Sequence, residues 1–229
     1  MGAVVALHPP GGARPLFPTA EMPPKPKTDT APQPPMELRD ACIVAAREVI
    51  AERGIENLSL RDVARKLGVS HQAPYKHYPS RDHLLTEVLR RCFQHFAAHL
   101  DDRPPCEDAR EDLRQLGVRY LGFAQAHPLE YRLMFSTTWP EAAKDAGLMA
   151  DGNYAFDILR KVLRRLHGTS ARLRSKVDLD AIYIWSTMHG LAGVMSSNSM
   201  GALELQSGVL DQAVAHVMER IERGLATPR

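Results

Sequence analysis

Cysteine is scarce. The chain has three, Cys42, Cys92 and Cys106, and no two of them stand in C-x-x-C spacing. They make no even set for a disulfide framework and no thiolate zinc motif. With no secretion signal, free thiols in a reducing cytoplasm are the expectation. Charge of one sign is missing too: 29 Lys and Arg against 27 Asp and Glu leave a formal +2, which points to no particular partner. No Gly-rich phosphate loop and no nucleophile motif stands anywhere in the 229 residues. No alternating strand pattern is evident, which speaks against an α/β enzyme fold. Residues 3–7, "AVVAL", are apolar, but a working secretion signal needs roughly 7–15 such residues after a basic segment. The Met-Gly start also lacks a myristoylation motif, because Ala6 stands where Ser or Thr is wanted.

Proline, in contrast, is crowded into one place. Residues 1–35 hold ten of the seventeen, with no helical or strand period. They read as a disordered arm, a passive extension or one from which Lys25 and Lys27 touch DNA phosphates. From Leu38 the text changes. Leu38, Cys42, Ala45, Ala46, Val49 and Ile50 fall at helical spacing, and Gly54 follows as a stop. Ser59 with Asp62 three residues later is a capping-box variant opening a second helix that ends at Gly68. Ser70 then opens a third. Two short helices joined by a tight Gly-containing turn make a helix-turn-helix.

Pro74 stands inside that third helix. With Ser70 as N-cap it is the fourth helical residue, so its missing N–H removes only the first intrahelical bond. The expectation is an α-helix over 70–78. A second helix of this motif turns its N-terminal residues toward base edges in the major groove. Here those are His71, Gln72 and Ala73; Gln pairs with adenine and Ala touches a thymine methyl. Tyr75, Lys76 and His77 follow as phosphate donors. The other reading of the same residues is a solvated polar helix. Ser80 caps the next helix and Arg81 lies at its start, an anion-binding position.

Residues 42–85 resemble the DNA-binding domain of the TetR family of bacterial transcriptional regulators. The matching text is "CIVAAREVIAERG" and "LSLRDVARKLGVSHQAPYKHYPSRDHLL", with Arg61-Asp62-Val63-Ala64, Gly68-Val69-Ser70, Tyr75-Lys76-His77-Tyr78 and Ser80-Arg81 at the family's spacing. Tyr78 stands where Phe is usual, Arg81 for Lys, and Pro74 for an apolar residue. The resemblance implies phosphate contacts at Ser59, Tyr75, His77 and Arg81, and base readers at His71, Gln72 and Lys76. It implies a small core of Ala45, Val49, Ile50, Val63, Ala64 and Tyr78. It also implies a partner in double-stranded DNA, as a palindromic operator, and most often repression.

An all-α architecture follows: a three-helix DNA-binding domain over 36–82, then a larger helical effector-binding and dimerisation domain over 83–229. Residues 81–101 and 107–126 read as long amphipathic helices, and Pro128 opens a short one in "PLEYRLMF". Residues 141–167 read as one helix or two, because Gly147 and Gly152 interrupt the first half. Residues 181–203 carry no Asp, Glu, Lys or Arg, yet seven polar residues dilute their apolar character. A helix buried between its own core and a second subunit fits better than a membrane span. Residues 209–225 carry the stripe Leu210, Ala213, Val214, Val217, Ile221 and Leu225. In the family the last two long helices form the homodimer, and these two match that role by order.

"HPLEYRLMF" and "WSTMHGLAGVM" resemble a family subset with a Trp-x-x-x-His-Gly signature. Trp185 and His189 share a helix face, while Gly190 and Gly193 would let another helix approach. A small-molecule effector, mainly apolar, would lie among Phe96, Tyr120, Phe123, Tyr131, Met134, Phe135, Trp139, Tyr154, Trp185 and His189. Each of these residues has a plain core role as its other reading. No cofactor and no metal is expected, and no catalytic residue: His71, His77 and His83 recur every six residues, a spacing that stacks nothing on a helix face. Cys92 and Cys106 leave open a thiol-responsive variant of the same regulator.

Overall fold

The computed structural model describes residues 37–135, 139, 146–168, 174–197 and 208–226. The proline-rich arm lies outside them. Eight α-helices are described: α1 (Leu38–Arg53), α2 (Leu60–Leu67), α3 (Arg81–Asp101), α4 (Ala109–Ala126), α5 (Pro128–Phe135), α6 (Ala146–His167), α7 (Arg174–Met195) and α8 (Val209–Ala226). No strand occurs among the described residues.

The first two helices end and begin as their sequence dictates. Asp40 in the first turn and Arg53 in the last of α1 both complement the helix dipole. Gly54 stops it at φ +85°, a backbone setting that a Cβ would strain. A 3₁₀ turn, Ile55–Asn57, leads to α2, where the Ser59 hydroxyl accepts from the Asp62 N–H at 3.1 Å. Gly68 ends α2 in the left-handed region. Ala45, Val49, Ile50, Val63, Ala64 and Tyr78 are all buried, as the resemblance implied.

The segment 70–78 is not an α-helix. The Ala73 N–H takes the Ser70 carbonyl at 2.9 Å, and Lys76 takes Ala73 at 3.2 Å. Only Pro74–Lys76 form a helix, and it is 3₁₀. The reason is Pro74 itself. Its absent N–H forfeits the bond that would have closed the first α turn on Ser70, so the three-residue bond wins. Ser70 therefore serves through its carbonyl, and among the described bonds its hydroxyl caps nothing.

Ser80 caps α3 at the His83 N–H, as expected. This helix runs unbroken through positions 82 and 83, where the sequence suggested a boundary, and joins the N-terminal helices to the body. There α3 packs along α6, with α4 and α5 on its flanks and α7 and α8 outside. α6 is one helix. Gly152 lies inside it, where its missing side chain leaves room for the Phe93 ring 3.8 Å from a hypothetical Cβ. Buried Asp112 ties the bundle at one end, held by Arg103 at 2.6 Å and by Arg165. No helix among the described residues is long and apolar enough to cross a membrane.

Candidate DNA-reading surface and effector cavity

The polar segment after α2 is pinned from below. Pro74 and Tyr78 are buried, and the Tyr78 hydroxyl donates to the Arg39 carbonyl at 3.0 Å. Between and around these two anchors, Ser70, His71, Gln72, Tyr75, Lys76 and His77 are exposed, and Ala73 is half-buried. One short stretch thus presents two imidazoles, an amide, a phenol and an ammonium to solvent on a fixed base.

Two of the expected phosphate contacts are already occupied. Ser59 is the α2 cap, and its hydroxyl also donates to the Asp62 carboxylate. Arg81 donates to the carbonyls of Ile55 at 2.7 Å and Leu58 at 3.1 Å, and pairs with Asp82 at 3.1 Å. Arg81 therefore clasps the start of α3 to the turn before α2. A Lys there could not bind two carbonyls in a fork.

The body encloses a cavity of about 650 Å³ between α3, α4, α6 and α7. Of the ten expected lining residues, Phe96, Tyr120, Met134, Phe135, Trp139, Trp185 and His189 face it. Phe123 does not; it packs beside His95, His99 and His127 on another side of α3. Tyr154 points outward, its hydroxyl on Asp101 at 2.6 Å. Sequence reasoning missed Phe93, Leu113, Leu116, Phe156, Met188 and Met218 as cavity walls. Phe93 stands three residues before Phe96 on one helix face, a signal that was readable. Gly117 also opens the wall: a Cβ there would meet the Met218 sulfur at 2.8 Å.

Tyr131 lies behind the lining and completes a polar triad. Its hydroxyl is 2.6 Å from His189 Nδ1 and 2.9 Å from the Tyr120 hydroxyl, which is itself 3.3 Å from Nδ1. Burial pushes both phenols up, so they remain protonated donors. Burial also pulls the His189 pKa down, which favours the neutral ring. A neutral ring that accepts at Nδ1 carries its hydrogen on Nε2.

The thiols give little chemistry. Cys42 and Cys92 are buried, and desolvation, with the Glu130 charge second, pushes Cys92 up to about 12. A thiol held that far from its thiolate is a poor redox sensor. Cys106 is half-buried with its sulfur on the Asp108 carbonyl at 3.3 Å.

Comparison with known proteins meets this geometry at both ends. Residues 43–88 match the family described as bacterial regulatory proteins, tetR family, and residues 113–221 match the tetracyclin repressor-like C-terminal domain. The chain belongs to the TetR family. Among curated relatives it is similar to the HTH-type transcriptional regulator Rv1816 of Mycobacterium tuberculosis, 29% identical over 97 residues, 41% of this chain and 42% of that protein. It is also similar to the transcriptional activator FasR of Mycolicibacterium smegmatis, 25% identical over 131 residues, 55% of this chain and 60% of that one. These matches thus span about half the length of the curated relatives. A solved structure of a protein of unknown function from Rhodococcus sp. RHA1 superposes with a TM-score of 0.68 at 25% identity, covering 89% of this chain and all of that one.

In this TetR-family chain one apolar face has no partner among the described residues of the subunit. Val177, Ala181, Ile184, Met188 and Ala192 of α7 are buried inward. On its outer side Leu179 is 62% exposed, Tyr183 50% and Val194 41%, while Ile182 borders the cavity. Gly190 and Gly193 lie on that side with nothing within 4 Å of a hypothetical Cβ. α8 differs from the expectation. Met218 and Ile221 are buried, and Val214, Val217 and Leu225 pack on the subunit's own core. Much of its stripe serves the fold first.

Proposed function

We propose that the protein is a DNA-binding transcriptional regulator that works as a homodimer. Each subunit reads one half of a palindromic operator with residues 70–77, and a small, mainly apolar ligand releases it. The observation that carries this reading is the pinned segment His71–His77: polar, exposed, and fixed by two buried anchors inside a domain that matches the family's DNA-binding model. His71, Gln72 and Ala73 would meet base edges, and Tyr75, Lys76 and His77 phosphates. Arg81 and Ser59 would act at one remove, by holding the segment in place. The outer face of α7, with α8 beside it, would pair the subunits.

The ligand reading rests on the cavity. Its wall is aromatic and aliphatic, and the Tyr120–Tyr131–His189 triad is its main polar feature. With Tyr131 donating to Nδ1, the hydrogen of His189 would sit on Nε2 and would suit a ligand with a hydrogen-bond acceptor, a carbonyl or hydroxyl oxygen on an apolar frame. Two reading segments fit successive half-sites only at about 34–36 Å separation. A ligand that prefers another separation weakens DNA binding by linkage, and release of this kind makes the protein a repressor.

The test is selection of bound sequences from a random duplex library, repeated with apolar ligands with and without a single oxygen. A palindrome should emerge, and oxygenated ligands should displace it at lower concentration. Enrichment of no sequence, or a half-site without symmetry, would sink the dimeric-reader proposal. Equal potency of ligands with and without the oxygen would remove the triad from recognition.

A further inference from the structure

Away from the cavity, three side chains with metal-binding atoms meet where the reading end joins the body. His95 lies midway along α3, His127 follows the last turn of α4, and Glu130 is in the first turn of α5. Their ligand atoms all lie within 4.8 Å of one another. Glu130 Oε2 is 2.9 Å from His95 Nδ1, Oε1 is 3.9 Å from His127 Nδ1, and the two imidazole centroids are 4.6 Å apart. We propose that His95, His127 and Glu130 form a divalent-cation site, suited to zinc, on the ion pair that joins α1 to the body.

The donor set is the first argument. Two imidazoles and a carboxylate are a borderline-metal combination, with bonds of about 2.0–2.2 Å. Ligand atoms around a tetrahedral ion of that size stand about 3.3 Å apart. The two distances to Glu130, 2.9 and 3.9 Å, bracket that value and all three atoms lie within 4.8 Å, so shifts of about an ångström would close the site. Access is the second argument. His95 is exposed and His127 half-buried, so an ion can enter from solvent. Orientation is the third. Glu130 is buried at 3% exposure, and Arg47 of α1 donates to its Oε1, so the carboxylate is held with Oε2 toward His95. His127 is the residue that hydrogen bonding does not explain. At 3.9 Å it is too far to bond Glu130, yet it turns Nδ1 to that carboxylate.

Arg47 and the ion would share one carboxylate. An ion drawing on Glu130 therefore weakens the Arg47 tie, and by reciprocity loss of Arg47 strengthens ion binding. The other titratable or charged groups near the site are His99, one helical turn along α3 with its ring 6.5 Å from that of His127, and Arg119, which donates to the His99 carbonyl. Neither touches Glu130 in the described bonds.

The experiment uses the full chain without an affinity tag, stripped of metal. Zinc is titrated by calorimetry, and cobalt by its visible absorption. Wild type should bind one ion per chain at micromolar concentration or tighter. His95→Ala and His127→Ala, both at accessible positions and checked for helicity, should each weaken binding by at least about tenfold, as loss of a direct ligand exceeds loss of an outer partner. Arg47→Gln should bind severalfold more tightly. No binding by wild type at 100-fold higher zinc, about 100 μM against a micromolar site, would overturn the proposal. So would one-to-one binding that survives both histidine variants. Unchanged affinity in Arg47→Gln would overturn the competition between ion and arginine.

Discussion

Between Leu38 and Tyr78 the apolar side chains close on one another: Cys42, Ala46, Val63 and Ala64 have no exposed surface at all. From α3 to α7, Phe, Leu and Met side chains, absent from the first stretch except for Leu, surround about 650 Å³ instead. The two regions solve different problems. On the proposed function, a reader would have to hold the Gln72 amide in one place, as a packed and capped base would. A body that responds to a ligand would need two packings of similar free energy, which an open, apolar interior would allow. α3 belongs to both regions: Arg81 stands at its start, and Phe93, Phe96 and Leu100 further along it line the cavity.

The strongest way to break this division is to leave both regions folded and separate the subunits. Tyr183→Glu places a charge on the outer face of α7, away from the subunit's core. The variant should be helical but monomeric by sedimentation. A monomer loses the second half-site, so operator affinity should fall about 10²–10⁴-fold although residues 70–77 are untouched. A dimer that survives would move the seam off α7.

The next effect tests the clasp. Arg81→Ala removes donors from the Ile55 and Leu58 carbonyls, at a cost of about 1–3 kcal/mol in the reading end's stability. The drop should appear in thermal unfolding without DNA. If Arg81 instead served phosphates, stability would hold and the salt slope of DNA binding would become shallower by about 0.9 per contact. Gln72→Ala should do the reverse of the clasp variant. It should leave the melting temperature unchanged and relax preference at one base pair by about 1–3 kcal/mol.

Much of the reading end was legible because its signals are local. Ser59, Ser80, Gly54 and Gly68 mark ends that hydrogen bonds within four residues decide, and the structure places the ends there. Pro74 was misread for the same reason on a finer scale: one lost N–H was counted as cheap, but in so short a segment it sets the helix type. The body was legible by helix and not by site. Phe123 and Phe96 share α3–α4 packing in the text of the sequence, yet only the crossing geometry decides which of them meets the cavity. His127 and Glu130 stand three residues apart where α4 gives way to α5, but His95 comes from α3, and no period or spacing connects it to them.

The smallest expected effect sharpens the comparison from the cavity side, through pH. Burial lowers the His189 pKa, so the folded protein binds fewer protons than the unfolded chain in the mildly acidic range. Stability then rises with pH there; what neutral His189 allows is lost as pH falls below about 6.5, the unfolded value. His99 shifts the same way, with burial first and Arg119 second, so it contributes to the same slope. His189→Gln keeps an acceptor for Tyr131 but cannot charge. Its melting temperature should fall less than that of wild type between pH 7 and 5.5, by a difference of about 2 °C. His99→Gln serves as the control for the second histidine. If the slope is unchanged in His189→Gln and vanishes in His99→Gln, the triad is solvated, and the cavity is wetter than its walls imply.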